Sequence, residues 1–268
     1  MSGSLQRRTA LVTGSVQGIG FEIAKALAAE GARIAVHGLA DAATGDAACR
    51  AMREAGAADA RFFGGDLTRV DEIETLMNAM DVWGPLDILV NNAGMQKTAP
   101  LTEVTPDLWN TILAVNLSAA FHTMRRALPG MASRGYGRVV NIASVHGLVA
   151  SRDKAPYVAS KFGLVGMSRV VALEYAAAGS RETGGVTVNC ICPGWTETSL
   201  IEPQIMARAA LHGGDRQAGI SDLLAEKQPT RRMSEPSEIG ALAVWLCDRR
   251  AHNITGTAIP IDGGWTAQ

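Results

Sequence analysis

Strand-like apolar runs alternate with helical patterns along this 268-residue chain, and this alternation constrains its fold more than any other feature. The runs cover residues 9–13, 34–37, 60–64, 86–90, 138–142, 186–192 and 257–261. Helical patterns lie between these runs. The first ends at residue 29, and the others cover residues 41–55, 70–82, 107–133, 155–177 and 236–246. Strands that alternate with helices form parallel sheets with right-handed crossovers. The pattern therefore predicts a single α/β domain over residues 1–268, doubly wound, with a parallel sheet of about seven strands and helices on both faces.

The first strand and the first helix are joined by a glycine-rich turn, Gly14-Ser15-Val16-Gln17-Gly18-Ile19-Gly20. Glycines in this position let the backbone approach a pyrophosphate, and the helix N-terminus supplies N–H donors and a positive dipole. The spacing differs from the GxGxxG of the common dinucleotide motif, and such a turn can also be a plain connection. Its place in the first βα unit favours a dinucleotide site in a Rossmann-type domain.

The end of the second strand bears on which dinucleotide is bound. An acid there commonly binds the adenosine ribose, whereas a basic residue binds a 2′-phosphate. This strand ends in His37-Gly38-Leu39, and the glycine turn also lacks a basic residue. The absence of a basic residue for a 2′-phosphate favours NAD over NADP, although the acidic residue that would bind the ribose of NAD is absent as well. Asp66, after the third strand, is a candidate partner for the adenine amino group, and the alternative is a helix cap.

A candidate acid–base pair lies at the start of the helix over residues 155–177. Pro156 is tolerated in a first helical turn, and the spacing of Tyr157 and Lys161 places both side chains on one face. A nearby cation can lower a phenol pKa by about 1–3 units, toward the range where acid–base catalysis is efficient. Ser144, after the fifth strand, could hydrogen-bond a substrate oxygen beside that phenol. Taken alone, a Tyr–Lys pair at this spacing is more often an accident of helix composition.

Composition and charge exclude several classes of function. The chain is 47% hydrophobic with a formal net charge of −1, and it contains no block of like charges. We therefore expect no nucleic-acid partner and no membrane partner. The four cysteines lack the spacing of a metal site and are expected to be reduced, and no metal is predicted. The N-terminal residues lack the apolar core of a signal peptide, which favours a cytoplasmic location.

Several short motifs occur in an order and at separations that are typical of one large enzyme family. They are Thr13-Gly14-x-x-x-Gly18-Ile19-Gly20, Asn91-Asn92-Ala93-Gly94, Asn116, Ser144, Tyr157-x-x-x-Lys161 and Pro193-Gly194. Over essentially its whole length the chain resembles the short-chain dehydrogenase/reductase family. The resemblance implies that Tyr157 is the general acid–base, that Ser144 positions the substrate oxygen, and that Lys161 holds the nicotinamide ribose and lowers the pKa of Tyr157.

The same resemblance implies further positions of the cofactor site and of the proton path. Asn116 would hold a water that continues the proton path to solvent. The implied NAD-binding residues are Gly14, Gln17, Gly18, Ile19, Gly20, Leu39, Asp66, Leu67, Asn92, Ala93, Gly94, Val115, Tyr157, Lys161, Pro193, Gly194, Trp195 and Thr198.

A closer resemblance is carried by residues 91–96, 142–151, 192–195, 224–229 and 262–266. In these segments the chain is similar to the branch of the family that interconverts D-3-hydroxybutyrate and acetoacetate. The implied substrate-binding residues are Gln96, Ser144, His146, Lys154, Tyr157, Trp195, Gln204 and Trp265. A small 3-hydroxy acid or 3-keto acid carries a charge that an apolar pocket must neutralise with donors. Taken singly, Lys154 is more often solvated, His146 could bond to the backbone of its turn, and the tryptophans are more often packing residues.

Some segments depart from that branch or leave its properties open. Residues 195–228 are predicted to form a substrate lid, within which residues 203–222 align poorly, so Gln204 is the least secure assignment. The loop over residues 176–185 is longer than usual, and His37 replaces a more usual polar residue. The resemblance also implies a homotetramer, in which the helices over residues 107–133 and 155–177 pair across one interface.

Two other functions remain open at this point. One is an NADPH-dependent reductase of 3-oxoacyl thioesters or ketones, which would share Asn116, Ser144, Tyr157 and Lys161. The missing 2′-phosphate partner and the presence of Gln96, His146 and Lys154 count against it. The other is a catalytically silent NAD-binding scaffold, which has no need to keep these four residues.

Overall fold

The computed structural model describes residues 4–267 and contains one parallel sheet of seven strands in the order β3-β2-β1-β4-β5-β6-β7. The strands are β1 (Thr9–Val12), β2 (Arg33–Gly38), β3 (Asp59–Gly64), β4 (Ile88–Asn91), β5 (Tyr136–Ile142), β6 (Gly185–Pro193) and β7 (Ala258–Ile261). All six pairings between neighbouring strands are parallel. The predicted sheet is confirmed, with strand ends that differ from the sequence pattern by a few residues at most.

Helices cover both faces of this sheet, as the alternation predicted. They are α1 (Gly18–Ala29), α2 (Ala42–Ala55), α3 (Val70–Trp83), α4 (Pro106–Leu113), α5 (Ala119–Arg134), α6 (Ala155–Tyr175), α7 (Glu202–Ala209), α8 (Arg216–Lys227) and α9 (Pro236–Cys247). Among the helices of residues 4–267, none combines the length and the apolar character that a membrane crossing requires.

The strands read as continuous apolar runs because both faces of the sheet are buried. Successive side chains of a strand point to opposite faces, so Ala10 and Val12 join the apolar cluster under α1, α2 and α9. Leu11, between them, joins the second cluster under α3 and α5. Cys190 and Cys192 lie on one face of β6, and all four cysteines are buried and free.

The direction in which successive strands are added to the sheet reverses between β1 and β4. β2 and β3 lie on one side of β1, whereas β4 to β7 lie on the other side. In open α/β sheets such a reversal leaves a crevice at the carboxyl ends of the strands, where ligands bind. The glycine turn after β1 and the Asn92 loop after β4 therefore meet at this edge of the molecule.

The helix predicted over residues 107–133 is interrupted in the structure. α4 and α5 are joined by a π-helical turn at Ala114–Ser118, with Asn116 at its centre. Such turns occur frequently at functional sites because they displace one side chain from the regular helical position. The amphipathic pattern of the two helices is nearly continuous across the turn, so periodicity alone predicts a single helix.

Residues 195–228 contain a hairpin of the two helices α7 and α8, separated by Gly213 and Gly214, both with positive φ. The inner side of this hairpin packs Ile205, Leu223 and Leu224 in one apolar cluster with Trp195 and Trp265. Arg208 of α7 is paired with Asp222 and Glu226 of α8, which ties the two helices of the hairpin together.

Candidate active site

A cleft of about 480 Å³ opens at the carboxyl ends of the strands. It is lined by all of the predicted site residues except Gly20, Asn116 and Gln204. These three lie next to residues of the lining: Gly20 beside Asn92, Asn116 beside Gly94 and Gln204 beside Lys154. The lining residues that were not among the predicted site residues are Val16, His37, Gly38, Gly65, Ile142, Ala143, Val145, Thr196, Ser199, Leu200 and Ile201. Most of these are glycines or apolar residues, whose side chains do not indicate a chemical role in a sequence.

The glycine turn has the features of an anion site. Gly14 and Gly18 adopt positive φ angles of 63° and 62°, a region that side chains disfavour. A Cβ added at Gly18 would find its nearest neighbour at 3.9 Å, on Thr198, so the space above this glycine is open. Gln17 caps α1 without a side-chain hydrogen bond, and the first turn contains no acidic residue. These residues therefore fit the pyrophosphate of a dinucleotide.

Asn92 fixes the turn from the side of β4. Its amide donates to the carbonyl oxygens of Thr13 at 2.9 Å and Gly14 at 3.0 Å. The Thr13 hydroxyl in return accepts from the backbone N–H groups of Asn92 and Ala93. A Cβ added at Gly20 would lie 2.3 Å from the Asn92 amide nitrogen and from the Gly14 carbonyl oxygen. Gly20 is thus required for the close approach of α1 to this loop.

We expect Gly20→Ala to lower the free energy of unfolding by about 1–3 kcal/mol, because the added methyl group must displace backbone. It should also weaken binding of the dinucleotide. Gly166→Ala is the matched control, since a Cβ at that helical position of α6 meets nothing within 4 Å. The control should gain about 0.5–1 kcal/mol from reduced chain entropy. Thermal unfolding and NADH fluorescence titration measure both effects, and equal behaviour of the two variants would contradict the assignment.

His37 lies beneath the glycine turn, fully buried. Its Nδ1 atom accepts from the Gly14 backbone N–H at 3.3 Å, and its backbone N–H donates to the Ser15 hydroxyl. Burial lowers the pKa of His37 to about 4, so the ring is neutral at physiological pH. Since Nδ1 is an acceptor, the proton of the neutral ring is on Nε2. In the sequence this residue was noted at the end of the second strand and as a departure from the family, but its contact with the glycine turn was not predicted.

The cleft wall beside the end of β2 carries no charge. Gly38 packs its backbone against Val16, and Leu39 is 80% exposed. Asp66 accepts from the Thr68 backbone N–H at 2.8 Å and lines the cleft. The capping alternative is wrong, because the N-cap of α3 is Arg69 and, among the described residues, no side chain caps this helix.

Ser144, Tyr157 and Lys161 meet where β5 ends and α6 begins, as predicted. All three side chains are buried, and Lys161 Nζ donates to the Ile142 carbonyl oxygen at 2.8 Å. The expected lowering of the Tyr157 pKa by Lys161 is wrong for this structure: burial raises the pKa of Tyr157, and a smaller opposing effect comes from a hydrogen bond with Ser144. Burial also lowers the pKa of Lys161 to about 8, which weakens the cation on which the expectation depended.

Asn116 has the specific partners that a buried amide requires. Its Oδ1 accepts from the Met95 backbone N–H at 2.8 Å, and its Nδ2 donates to the Met95 carbonyl and to the Ser160 hydroxyl. The π-helical turn thereby ties α4 and α5 to the loop that follows Asn92.

The far end of the cleft combines one buried cation with aromatic walls. Lys154 is only 6% exposed, and its Nζ donates to Gln204 Oε1 at 2.9 Å. The same ammonium lies 5.0 Å from the ring centroid of Trp195, which in turn lies 5.6 Å from that of Trp265. Burial lowers the pKa of Lys154 to about 8. The solvated alternative for Lys154 is therefore wrong, and Gln204, the least secure residue, is brought to its side.

His146 occupies the wall between these two groups. Its Nδ1 lies 3.3 Å from the Ser144 hydroxyl and its Nε2 lies 2.9 Å from the Ser151 hydroxyl. The ring meets Tyr157 and Trp265 edge-on. Its ring contacts are therefore with side chains of the site rather than with the backbone of its own turn. Burial lowers the pKa of His146 to about 3, with a smaller contribution from Lys154, so this ring is neutral.

Comparison with known proteins agrees with this arrangement. A family model described as enoyl-(acyl carrier protein) reductase matches residues 14–266. The D-beta-hydroxybutyrate dehydrogenase of Cupriavidus necator is 47% identical over 98% of this chain and 100% of its own length. The enzyme of the same name from Rhizobium meliloti is 40% identical over 97% of this chain and 99% of its own length.

A solved structure leads to the same family. The gluconate 5-dehydrogenase of Burkholderia cenocepacia, in complex with NADP and tartrate, superimposes with a TM-score of 0.87 at 29% identity. The match covers 98% of this chain and 97% of that protein. Together with the site geometry, these matches show that the chain is an oxidoreductase and belongs to the short-chain dehydrogenase/reductase family.

Proposed function

We propose that this protein is an NAD-dependent dehydrogenase that interconverts D-3-hydroxybutyrate and acetoacetate. The observation that carries the proposal is the buried Lys154 ammonium, paired with Gln204 and walled by Trp195 and Trp265. Within residues 4–267 this ammonium forms no ion pair with a carboxylate. A buried cation in that position is costly, and a small anionic substrate would offset that cost. The names of the two dehydrogenase relatives support the same substrate class.

The size and polarity of the far end of the cleft suit a short substrate. Lys154 and Gln96 line this end and would supply donors for one carboxylate, with Gln204 holding the Lys154 ammonium, while the two tryptophans would enclose an apolar end. Charge-assisted hydrogen bonds to a carboxylate are about twice as strong as neutral ones, so this end would fix the orientation of the acid. The oxygen at C3 then faces Ser144 and Tyr157.

The protein's own groups would move one proton at that oxygen. In the oxidation, the Tyr157 phenolate would accept the hydroxyl proton; in the reduction, the phenol would return it to the carbonyl oxygen. The raised pKa of Tyr157 keeps the phenol protonated at neutral pH, which suits the reduction. Ser144 would hydrogen-bond the same oxygen, and Lys161 would hold the nicotinamide ribose. The nicotinamide supplies the hydride chemistry when bound.

NAD is proposed rather than NADP because of the cleft wall at the end of β2. A 2′-phosphate needs a cation, and the wall there is formed by Gly38 and Leu39, with the neutral His37 behind it. NADP is present in the related structure of the Burkholderia enzyme, so the two dinucleotides must be compared directly.

Leu39→Arg should raise kcat/KM with NADP by about 10-fold to 100-fold, the value of a charge-assisted hydrogen bond to phosphate. Leu39→Met is the control, since it keeps an exposed apolar side chain at the same position. Initial rates with NAD and NADP measure the effect. If the wild-type protein already prefers NADP, or if Leu39→Arg leaves the ratio unchanged, the cofactor assignment is wrong.

The substrate class is tested by removing the substrate's charge. D-3-hydroxybutyrate and its methyl ester have the same carbon at C3 and differ in the carboxylate that Lys154 would bind. We expect kcat/KM to be at least about tenfold higher for the acid, as for one charge-assisted hydrogen bond. Faster oxidation of the ester would favour an oxoacyl or ketone reductase instead.

We further propose that the chain forms a single domain with a lid over the cleft. We also propose that the protein assembles as a homotetramer and is located in the cytoplasm. The hairpin of α7 and α8 is proposed to act as the lid, since Ile201 and Leu200 beside it line the cleft. Exposed Phe121 on α5 and exposed Phe162 and Leu173 on α6 support an interface between copies of the chain.

A further inference from the structure

Two buried tryptophans form the apolar end of the cleft, and each comes soon after a strand. Trp195 follows β6, and Trp265 follows β7. Both line the cleft, and their ring centroids are 5.6 Å apart. Trp195 is also the first residue of the predicted lid over residues 195–228. The way in which these two rings are held therefore bears on how long an acyl chain the apolar end admits.

Gln228, the last residue of the lid, is hydrogen-bonded to the first. Its side chain is buried, with 1% exposed, and it does not line the cleft. Its Oε1 accepts from the Trp195 backbone N–H at 3.1 Å, and its Nε2 donates to the Arg232 carbonyl oxygen. Both ends of the amide thus meet the partner that their chemistry requires, and the flipped amide would place two donors together. One buried side chain therefore joins the two ends of the lid.

The backbone of Trp195 is held on both sides by the segment that follows α8. Its N–H is bound by Gln228, and its carbonyl oxygen accepts from the Ser234 backbone N–H at 2.9 Å. The preceding residue packs against the same amide, since a Cβ added at Gly194 would lie 3.0 Å from Gln228 Oε1. The indole of Trp195 therefore projects from a backbone whose position depends on Gln228.

The turn that contains Trp265 is bound to the same amide. Gly263, two residues earlier, has a φ of +58°, and a Cβ added there would lie only 2.6 Å from Gln228 Cγ. The Gly263 carbonyl oxygen accepts from the Thr230 backbone N–H at 3.1 Å. Gln228 thus lies between the segment after β6 and the segment after β7, in contact with both.

We propose that Gln228 is a positioning residue that joins the base of the lid to Trp195 and Trp265, and that it thereby sets the chain length of the hydroxy acid that the cleft accepts. It acts through the two tryptophans, because it does not line the cleft itself. The chain-length part rests on the proposed function, whereas the positioning of the two segments does not.

The first test needs no substrate. Gln228→Met keeps most of the side-chain volume and removes both hydrogen bonds. By hydrogen–deuterium exchange under conditions of local opening, peptides over residues 194–197 and 263–266 should exchange about tenfold faster, as for one lost hydrogen bond. Met80→Ala is the control for a general loss of stability, since Met80 is buried in the separate cluster under α3. Unchanged exchange in these peptides, or equal acceleration by Met80→Ala, would overturn the positioning role.

The second test measures chain-length preference at saturating NAD. It compares kcat/KM for D-3-hydroxybutyrate with that for D-3-hydroxyhexanoate, which is two carbons longer. Gln228→Met should shift the ratio toward the longer acid by about tenfold, the lower bound for one methylene in an apolar pocket. Gln228→Glu should stay within about threefold of the wild type, because its carboxyl oxygen can still accept from the Trp195 N–H. Met80→Ala should keep the wild-type ratio.

The contrary outcomes are distinct for each part of the proposal. Equal shifts in Gln228→Met and Gln228→Glu, or a shift in Met80→Ala, would show that packing or stability sets the preference, and would overturn the assignment. If neither acid reacts with the wild-type protein, the proposed function and the chain-length assignment both fail. The exchange measurement then still decides whether Gln228 positions the two segments.

Discussion

Tyr157→Phe should lower kcat by about 10²-fold to 10⁴-fold, the usual contribution of general acid–base catalysis. The substitution removes only the phenolic oxygen from a buried side chain that lines the cleft. The ring would still pack edge-on against His146, so the shape of the site is kept. Affinity for NAD, measured by fluorescence titration, should change little because the remaining cofactor contacts are intact.

Tyr175→Phe is the matched control for this variant. Tyr175 is the last residue of the same helix, α6, and packs against the core on the opposite side of the sheet from α1. It should retain full turnover and a similar melting temperature. Turnover of Tyr157→Phe that is comparable to the control would remove Tyr157 from the acid–base role.

Lys154→Gln should raise the KM for D-3-hydroxybutyrate by about 10-fold to 100-fold, as expected for losing a hydrogen bond from a charged donor. The amide can still bond to Gln204 and fills much of the same volume, so folding should be preserved. KM for NAD should stay unchanged. Lys97→Gln is the control, since Lys97 is an exposed lysine near the same loop. An unchanged KM in Lys154→Gln would remove this residue from the substrate site.

The lowered pKa of Lys154 also predicts a pH dependence of substrate binding. Burial lowers this pKa to about 8, so the side chain is cationic below that pH and neutral above it. Affinity for the anionic substrate should therefore be high at pH 7 and fall as the pH rises through about 8. In Lys154→Gln this dependence should disappear. A wild-type affinity that is constant from pH 6 to about 10, where an unperturbed lysine titrates, would contradict the assignment.

Much of the fold and of the site's location follows from local patterns in the sequence. The alternation of strands and helices predicts the parallel sheet, and residues that follow strands, such as Gly14, Asn92 and Ser144, must meet at one edge. Tyr157 and Lys161 are four residues apart in α6, and this spacing places both side chains on one face of the helix. These features depend on spacing along the chain, which a sequence contains.

The features that were missed depend on burial and on contacts between distant segments. The pKa of Tyr157 is raised because its desolvation outweighs the effect of neighbouring groups, and desolvation is a property of the packed structure. The contact between His37 and Gly14 joins residues that are 23 positions apart. The π-helical turn around Asn116 changes the helical register without changing the amphipathic pattern.

The most direct measurement of the central claim is the initial rate of NADH formation with D-3-hydroxybutyrate and NAD. L-3-hydroxybutyrate, NADP and a longer D-3-hydroxy acid serve as parallel reactions. We predict rapid turnover that is selective for the D enantiomer and for NAD, because Lys154 fixes the carboxylate and the tryptophan walls leave room for a short chain. Turnover of only the longer acid, or only with NADP, would contradict the proposed substrate or cofactor while leaving the family assignment unchanged.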